Sequence, residues 1–183
     1  MQKRSHARLA SALLNCENVS PVRRYKWAFL FGSVQPDCNP LSYLKGSLHH
    51  KKFGGHTYAN ARRYIETRIR RLQKRRHWTV WQYYTLGKLT HYVADAFTYP
   101  HNSHFPEHGW AHHTYETRLR TEFAEYLDSA ELCRTERVKD LPAELYRLHE
   151  EYMAAGSSPE RDISYILRAN ALLMADCRNA LGA

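Results

Sequence analysis

Apolar positions in this chain recur at steps of three and four residues almost from end to end, the spacing of one face of an α-helix. Leu9, Leu13 and Leu14 set a first short helix from about Ser5, a candidate N-cap, to Cys16. The aromatic and apolar run Tyr25 to Phe31 stops at Gly32-Ser33, and Pro36-Asp37-Cys38-Asn39-Pro40 reads as a loop, as does 51–56 with its Gly54-Gly55 pair. From Thr57 a long helix carries Tyr58, Ala61, Ile65, Ile69 and Leu72 on one face and a row of arginines on the other. A further helix runs from about Thr79 through Trp81, Leu86, Leu89 and Val93 to Ala96, and Pro100 ends it.

The segment 102–109 is polar and contains Pro106, so it reads as a loop; a helix from about Trp110 to Leu127 follows, then a weaker one near 143–153. Gly156-Ser157-Ser158-Pro159 is a break, with Ser158 as N-cap and Pro159 at the first position of a last helix. No strand alternation of useful length and no internal repeat interrupts the pattern. The expected fold is all-α, a multi-helix bundle forming one domain over residues 1–183, a length that supports one buried core and little more.

Charge alters this picture more than composition does. Hydrophobic residues at 43% and charged residues at 25% are ordinary for a globular chain. Lys and Arg, however, number 27 against 18 Asp and Glu, a formal net charge of +9 that favours anionic partners: nucleic acid, acidic lipid or phosphorylated small molecules. The basic face of 62–76 is a candidate surface for an anionic membrane or nucleic acid, although such a stripe is more often a solvated helix face. No obligate protein partner is evident. The 4 cysteines (Cys16, Cys38, Cys133, Cys177) lie far apart and read as reduced thiols. With no apolar run of about 20 residues and no clean signal-peptide pattern, the expected location is the cytoplasm.

The chemistry concentrates in the run HYVADAFTYPHNSHFPEHGWAHHTYE. His91 and Asp95, four apart on a helix, project from one face. His101 stands just past the proline that ends that helix. His112 and Glu116 repeat the four-residue step on the next helix, and two facing helices with such pairs can build a metal cage. Imidazole and carboxylate suit Zn²⁺ or a similar divalent ion. Five candidate ligands exceed the needs of one tetrahedral ion, so more than one metal is implied, and Asp95 could bridge two. Taken singly, such a pair is more often surface decoration. Here the neighbours Val93, Ala94, Ala96 and Phe97 are apolar, and buried ionisable groups are costly unless paired or metal-bound.

GKLTHYVADAFTYPH followed by HHTYE resembles the zinc-dependent phospholipase C family, whose distant relatives are single-strand-specific nucleases. The resemblance implies an all-helical fold with zinc ions at the bottom of a cleft. His91, Asp95 and His101 match the family's central run with its spacing. His112, rather than His113, gives the spacing to Glu116; Tyr115 before a glutamate is similar to the phospholipases, since the nucleases carry aspartate there. His6 resembles the N-terminal histidine and Asp37 the first-half aspartate. For the first-half histidine His56, followed by Thr57-Tyr58, is preferred to His49, with His50 third.

By that resemblance one zinc takes Asp37, His56, His91 and Asp95, a second takes His101, His112 and Glu116, and a third takes His6 with bridging Asp95, giving two or three ions. In secreted family members an N-terminal tryptophan completes the third site through its amino group and carbonyl; here residue 1 is Met1, which could fold back from five residues before His6. The implied function is hydrolysis of a phospholipid or related phosphodiester. Zinc lowers the pKa of water from 15.7 to roughly 7, and Asp37 is a candidate general base. No serine or cysteine nucleophile stands out. The alternatives are a single-strand-specific nuclease and a metal-binding protein with little turnover.

Overall fold

The computed structural model describes residues 1–16, 25–38, 58–102, 110–129, 137–156 and 158–181, without the side chains of 59, 60, 110–112, 128, 129 and 178–181. These form α1 (Lys3–Cys16), α2 (Lys26–Cys38), α3 (Tyr58–Gln73), α4 (Val80–Ala96), a 3-10 turn (Tyr99–His101), α5 (Trp110–Ser129), α6 (Leu141–Ala154) and α7 (Pro159–Leu181). There is no strand among the described residues, and the all-α expectation is met. None of the described helices is long and apolar enough to cross a membrane.

The centre of the bundle is α4. Tyr83, Leu86, Leu89, Val93, Ala94 and Ala96 are buried along it, as are Thr90, His91 and Asp95. A helix buried on nearly every side must be enclosed by others; α1, α2, α3 and α7 all pack on it. The outer helices present apolar stripes inward: Leu9 and Leu13 from α1, Ile65, Ile69 and Leu72 from α3, Leu119 and Phe123 from α5, Leu145 and Leu148 from α6, Ile163, Ile166 and Leu173 from α7.

Several local signals act as read. At the start of α4 the Gln82 side chain accepts from the Thr79 amide at 2.8 Å and from its hydroxyl at 2.7 Å. At the start of α7 the Ser158 hydroxyl accepts from the Arg161 amide at 3.3 Å. Beyond α6, Gly156 takes φ of 77°, the left-handed value that closes a helix at low cost for glycine.

Two expectations need correction. Ser5 is not the N-cap of α1: the helix begins at Lys3, and the Gln2 carbonyl accepts from the Ser5 and His6 amides. The chain also does not stop at Gly32-Ser33 or loop from Pro36; α2 continues to Cys38. Its glycine serves a crossing rather than a turn. A Cβ at Gly32 would run into the Tyr84 carbonyl, and one at Gly87 into the Phe29 carbonyl, so each helix meets the other at a bare position. Pro36 falls in the last turn, where it forgoes the amide bond back to the preceding turn, and the helix ends two residues later.

The cysteine reading also changes. Cys16 is disulfide-bonded, which corrects the expectation of 4 reduced thiols; Cys38 and Cys177 take part in no disulfide.

Candidate metal centre

The α2–α4 crossing sets the site. Because the two helices meet without side chains at Gly32 and Gly87, the Ser33 carbonyl reaches the His91 ring, 2.9 Å from Nδ1. A carbonyl only accepts, so Nδ1 carries the proton and Nε2 presents its lone pair. That lone pair faces Asp95 Oδ2 at 3.1 Å and Asp37 Oδ1 at 3.6 Å. Asp37 reaches the site from the last turn of α2, a helical position rather than the expected loop.

Asp95 is the hub. Its side chain is 2% exposed, and its two oxygens divide their neighbours. Oδ1 lies 3.2 Å from His6 Nε2 and 2.8 Å from the Met1 amino nitrogen. Oδ2 faces His91 and, at 4.0 Å, His101 Nδ1. His101 Nε2 stands 3.2 Å from Glu116 Oε1. The His6 and His91 rings stack with centroids 3.8 Å apart.

The N-terminus closes this cluster. The Met1 amine lies 2.9 Å from both Glu116 Oε1 and His101 Nε2 as well as against Asp95. Gln2 fixes it in place: its amide donates to the Thr117 hydroxyl at 3.2 Å and its oxygen accepts from Arg120 at 3.0 Å. Thus α5, which carries Glu116, also grips the residue that delivers the amine. The sequence suggested only that Met1 could fold back.

Electrostatics prepare these groups for a cation. Burial, with the neighbouring His91, pushes His6 down to about 3, so its ring is neutral, the form that ligates metal. Burial alone would raise the Asp95 carboxyl, but the Met1 amine foremost, then His101, His91 and His6, hold it well below the usual range. Burial raises Asp37. The Met1 amine also loses solvation, yet Asp95 and Glu116 more than offset that and hold it at about 10.

Do these residues fit zinc? Neither ring nitrogen of His6 makes a hydrogen bond, although the ring is 1% exposed. Buried polar atoms normally have partners. One ligand atom each from His6, His91 and Asp95 lie within 4.8 Å of one another, and all three residues are buried. Two imidazoles and a carboxylate around one point are a zinc donor set. The ammonium of Met1 sits among the acids as a cation would. The fit is good.

Of the residues singled out from the sequence, the structure brings His6, Asp37, His91, Asp95, His101 and Glu116 into this cluster. His112 lies on α5 one turn before Glu116, and its side chain is outside the described residues, while His113 is exposed. His56, His49 and His50 also lie outside the described residues. The basic face is partly engaged within the molecule: Arg62 lies over the Tyr146 ring at 4.0 Å, and Arg70 pairs with Glu66 and Asp140.

One supporting residue carried no motif. Asp162, fully buried in the first turn of α7, accepts from the Tyr99 amide at 2.8 Å, the Tyr115 hydroxyl at 2.9 Å and the Tyr152 hydroxyl at 2.6 Å. It ties down the turn before His101 and the helix position before Glu116. Burial raises it to about 6 against the pull of those three donors. Only the abundance of tyrosine, 13 residues, hinted at such a hub.

The family model for zinc-dependent phospholipase C matches residues 5–158, most of the chain. No curated protein and no solved structure matches it.

Proposed function

Because the chain belongs to the zinc-dependent phospholipase C family, we propose that it hydrolyses the phosphodiester of a phospholipid or a related small molecule. The observation that carries this reading is Asp95, a buried carboxylate with His6 and His91 on its two oxygens, and His101, Glu116 and the Met1 amine alongside.

Zinc bound there supplies a Lewis acid for the phosphoryl oxygens and makes water a usable nucleophile near neutral pH. We assign Asp37, His56, His91 and Asp95 to one ion, His101, His112 and Glu116 to a second, and His6 with Asp95 to a third. The other roles belong to the chain. Ser33 fixes the His91 tautomer through its carbonyl, so Nε2 is the coordinating atom. Asp37, half-buried at the edge of the cluster with its carboxyl raised by burial, takes the proton from the attacking water. The Asp162 hub holds the backbone on which His101 and Glu116 stand.

Protein purified without chelator should contain zinc and release a phosphorylated headgroup from phosphatidylcholine. Asp95→Asn should lower both zinc content and turnover, the turnover by about 100-fold or more, since even outer partners of a metal site are worth 10–100-fold. Zinc-free protein, or an unimpaired Asp95→Asn, would sink the assignment. A net charge of +9 favours a second reading, cleavage of single-stranded nucleic acid, scored in the same assay with single-stranded DNA. Zinc without turnover of either substrate would mark a binding protein.

The disulfide at Cys16 bears on location. Such bonds persist in oxidising compartments, so we place the protein there rather than in the cytoplasm. Thiol titration of protein denatured directly from its native host should find fewer than the 4 thiols of the sequence; finding all of them would return the cytoplasmic reading.

A further inference from the structure

Large apolar side chains standing in solvent are more informative than those inside. Trp27 is 73% exposed, Trp81 69% and Phe31 59%. They are not scattered. Trp27 and Phe31 are one turn apart on α2, and Trp81 and Tyr84 one turn apart on α4. The two helices run side by side in the same direction: Tyr25 stacks on Tyr83 near their starts, and Asp37 meets His91 further along. Phe31 and Tyr84 stack at 5.9 Å, and Trp81 stands edge-on to Tyr84 at 6.3 Å. Phe31, Tyr84 and Trp81 thus form one aromatic surface, with Trp27 one turn from Phe31 on α2.

Cations frame it. Lys26 Nζ lies 5.3 Å from the Trp27 ring centroid, and Lys88 Nζ 5.8 Å from that of Tyr84. Lys74, Arg75 and Arg76 are exposed just ahead of α4. The sequence has no Asp or Glu between 25 and 36 or between 73 and 94. Such a surface would attract an anionic plane.

We propose that the surface formed by Trp27, Phe31, Trp81 and Tyr84 with Lys26 and Lys88 docks this protein onto an anionic lipid bilayer. Indole and phenol rings settle at the headgroup level, with apolar body inward and polar tip outward. Nearby lysines are drawn to acidic headgroups. Stacked bases would need open ring faces, but Phe31 and Tyr84 already cover one another. On α4, Trp81, Tyr84, Lys88, His91 and Asp95 follow at three- and four-residue steps along one stripe. At about 1.5 Å per residue, the aromatic end begins roughly 15 Å from His91. Docking therefore sets the bilayer on the side of α4 that carries the metal ligands. This purpose rests on the phospholipid reading; the docking itself does not.

The test is flotation with vesicles of phosphatidylcholine, with and without phosphatidylglycerol, together with quenching of tryptophan emission by brominated acyl chains. The protein should float with the anionic vesicles and be quenched. Trp27→Ala/Phe31→Ala/Trp81→Ala should weaken binding by about tenfold or more, with zinc content and thermal unfolding unchanged. Lys26→Gln and Lys88→Gln should each weaken binding to anionic vesicles by roughly fivefold and leave neutral vesicles alone, a second set of variants that keeps all four aromatic side chains. No flotation of the parent protein, or full binding by the triple variant, overturns the proposal. So does a dimer in light scattering that the triple variant makes monomeric, or a single-stranded oligonucleotide whose binding that variant abolishes. Binding is read without turnover: inactive protein that still floats would sink the phospholipase reading alone, and active protein that does not float would sink docking alone.

Discussion

A carbonyl oxygen accepts hydrogen bonds and never donates them, and at the scale of single residues that fact decides His91. The four-residue step between His91 and Asp95 was legible in the sequence, and so was the burial implied by their apolar neighbours. The Ser33 carbonyl that fixes the ring was not, because nothing in a sequence pairs a backbone atom with a side chain 58 residues away. His149 shows the same limit. It was unremarkable in the sequence, yet it is buried, stacks on Tyr58 at 3.5 Å, and its Nε2 lies 2.9 Å from Asn102 Oδ1. The Asn102 amide donates to the Ala96 and Thr98 carbonyls, so its oxygen faces the ring and Nε2 carries the proton. Burial pushes His149 down to about 4. The unfolded chain, titrating near 6.5, binds the proton first, so stability is present above that value and lost as pH falls toward 4. Denaturant unfolding should show the parent losing on the order of 3 kcal/mol relative to His149→Gln across that window. A difference that does not vary with pH would refute this.

Among elements, the meeting of α2 with α4 matters most for the site. The helix periods, the Thr79 and Ser158 starts and the Pro100 stop were all readable, because each depends on residues within one turn of one another. The extent of α2 was not. Glycine and proline argue for a break when only neighbours are considered, whereas here Gly32 is required by a carbonyl of another helix. Gly87→Ala should therefore drive the helices apart at the Phe29 carbonyl. Overpacking of this kind costs about 1–3 kcal/mol, and at about 2–4 °C per kcal/mol the melting temperature should fall by several degrees. Zinc affinity should fall with it, since the Ser33–His91 bond spans the same crossing. An unchanged melting temperature would show that the crossing has room to spare.

Across the whole molecule, Asp162 joins the turn after α4, α5 and α6 to the start of α7. Asp162→Ala would strand the Tyr99 amide and two tyrosine hydroxyls, and should cost about 3 kcal/mol. Tyr115→Phe should cost about 1 kcal/mol, both read from chemical unfolding; a neutral Asp162→Ala would show that water replaces the hub. The sequence by itself determined the helical class, the basic charge and the paired spacing of His and acidic residues from His91 to Glu116, because periodicity and i, i+4 spacing act locally. Only the tertiary structure decided that Asp37 arrives on a helix, that His6 faces Asp95, that the Met1 amine folds into the cluster, and that Cys16 is disulfide-bonded. Those are contacts between distant parts of the chain, fixed by how helices pack rather than by which helices form.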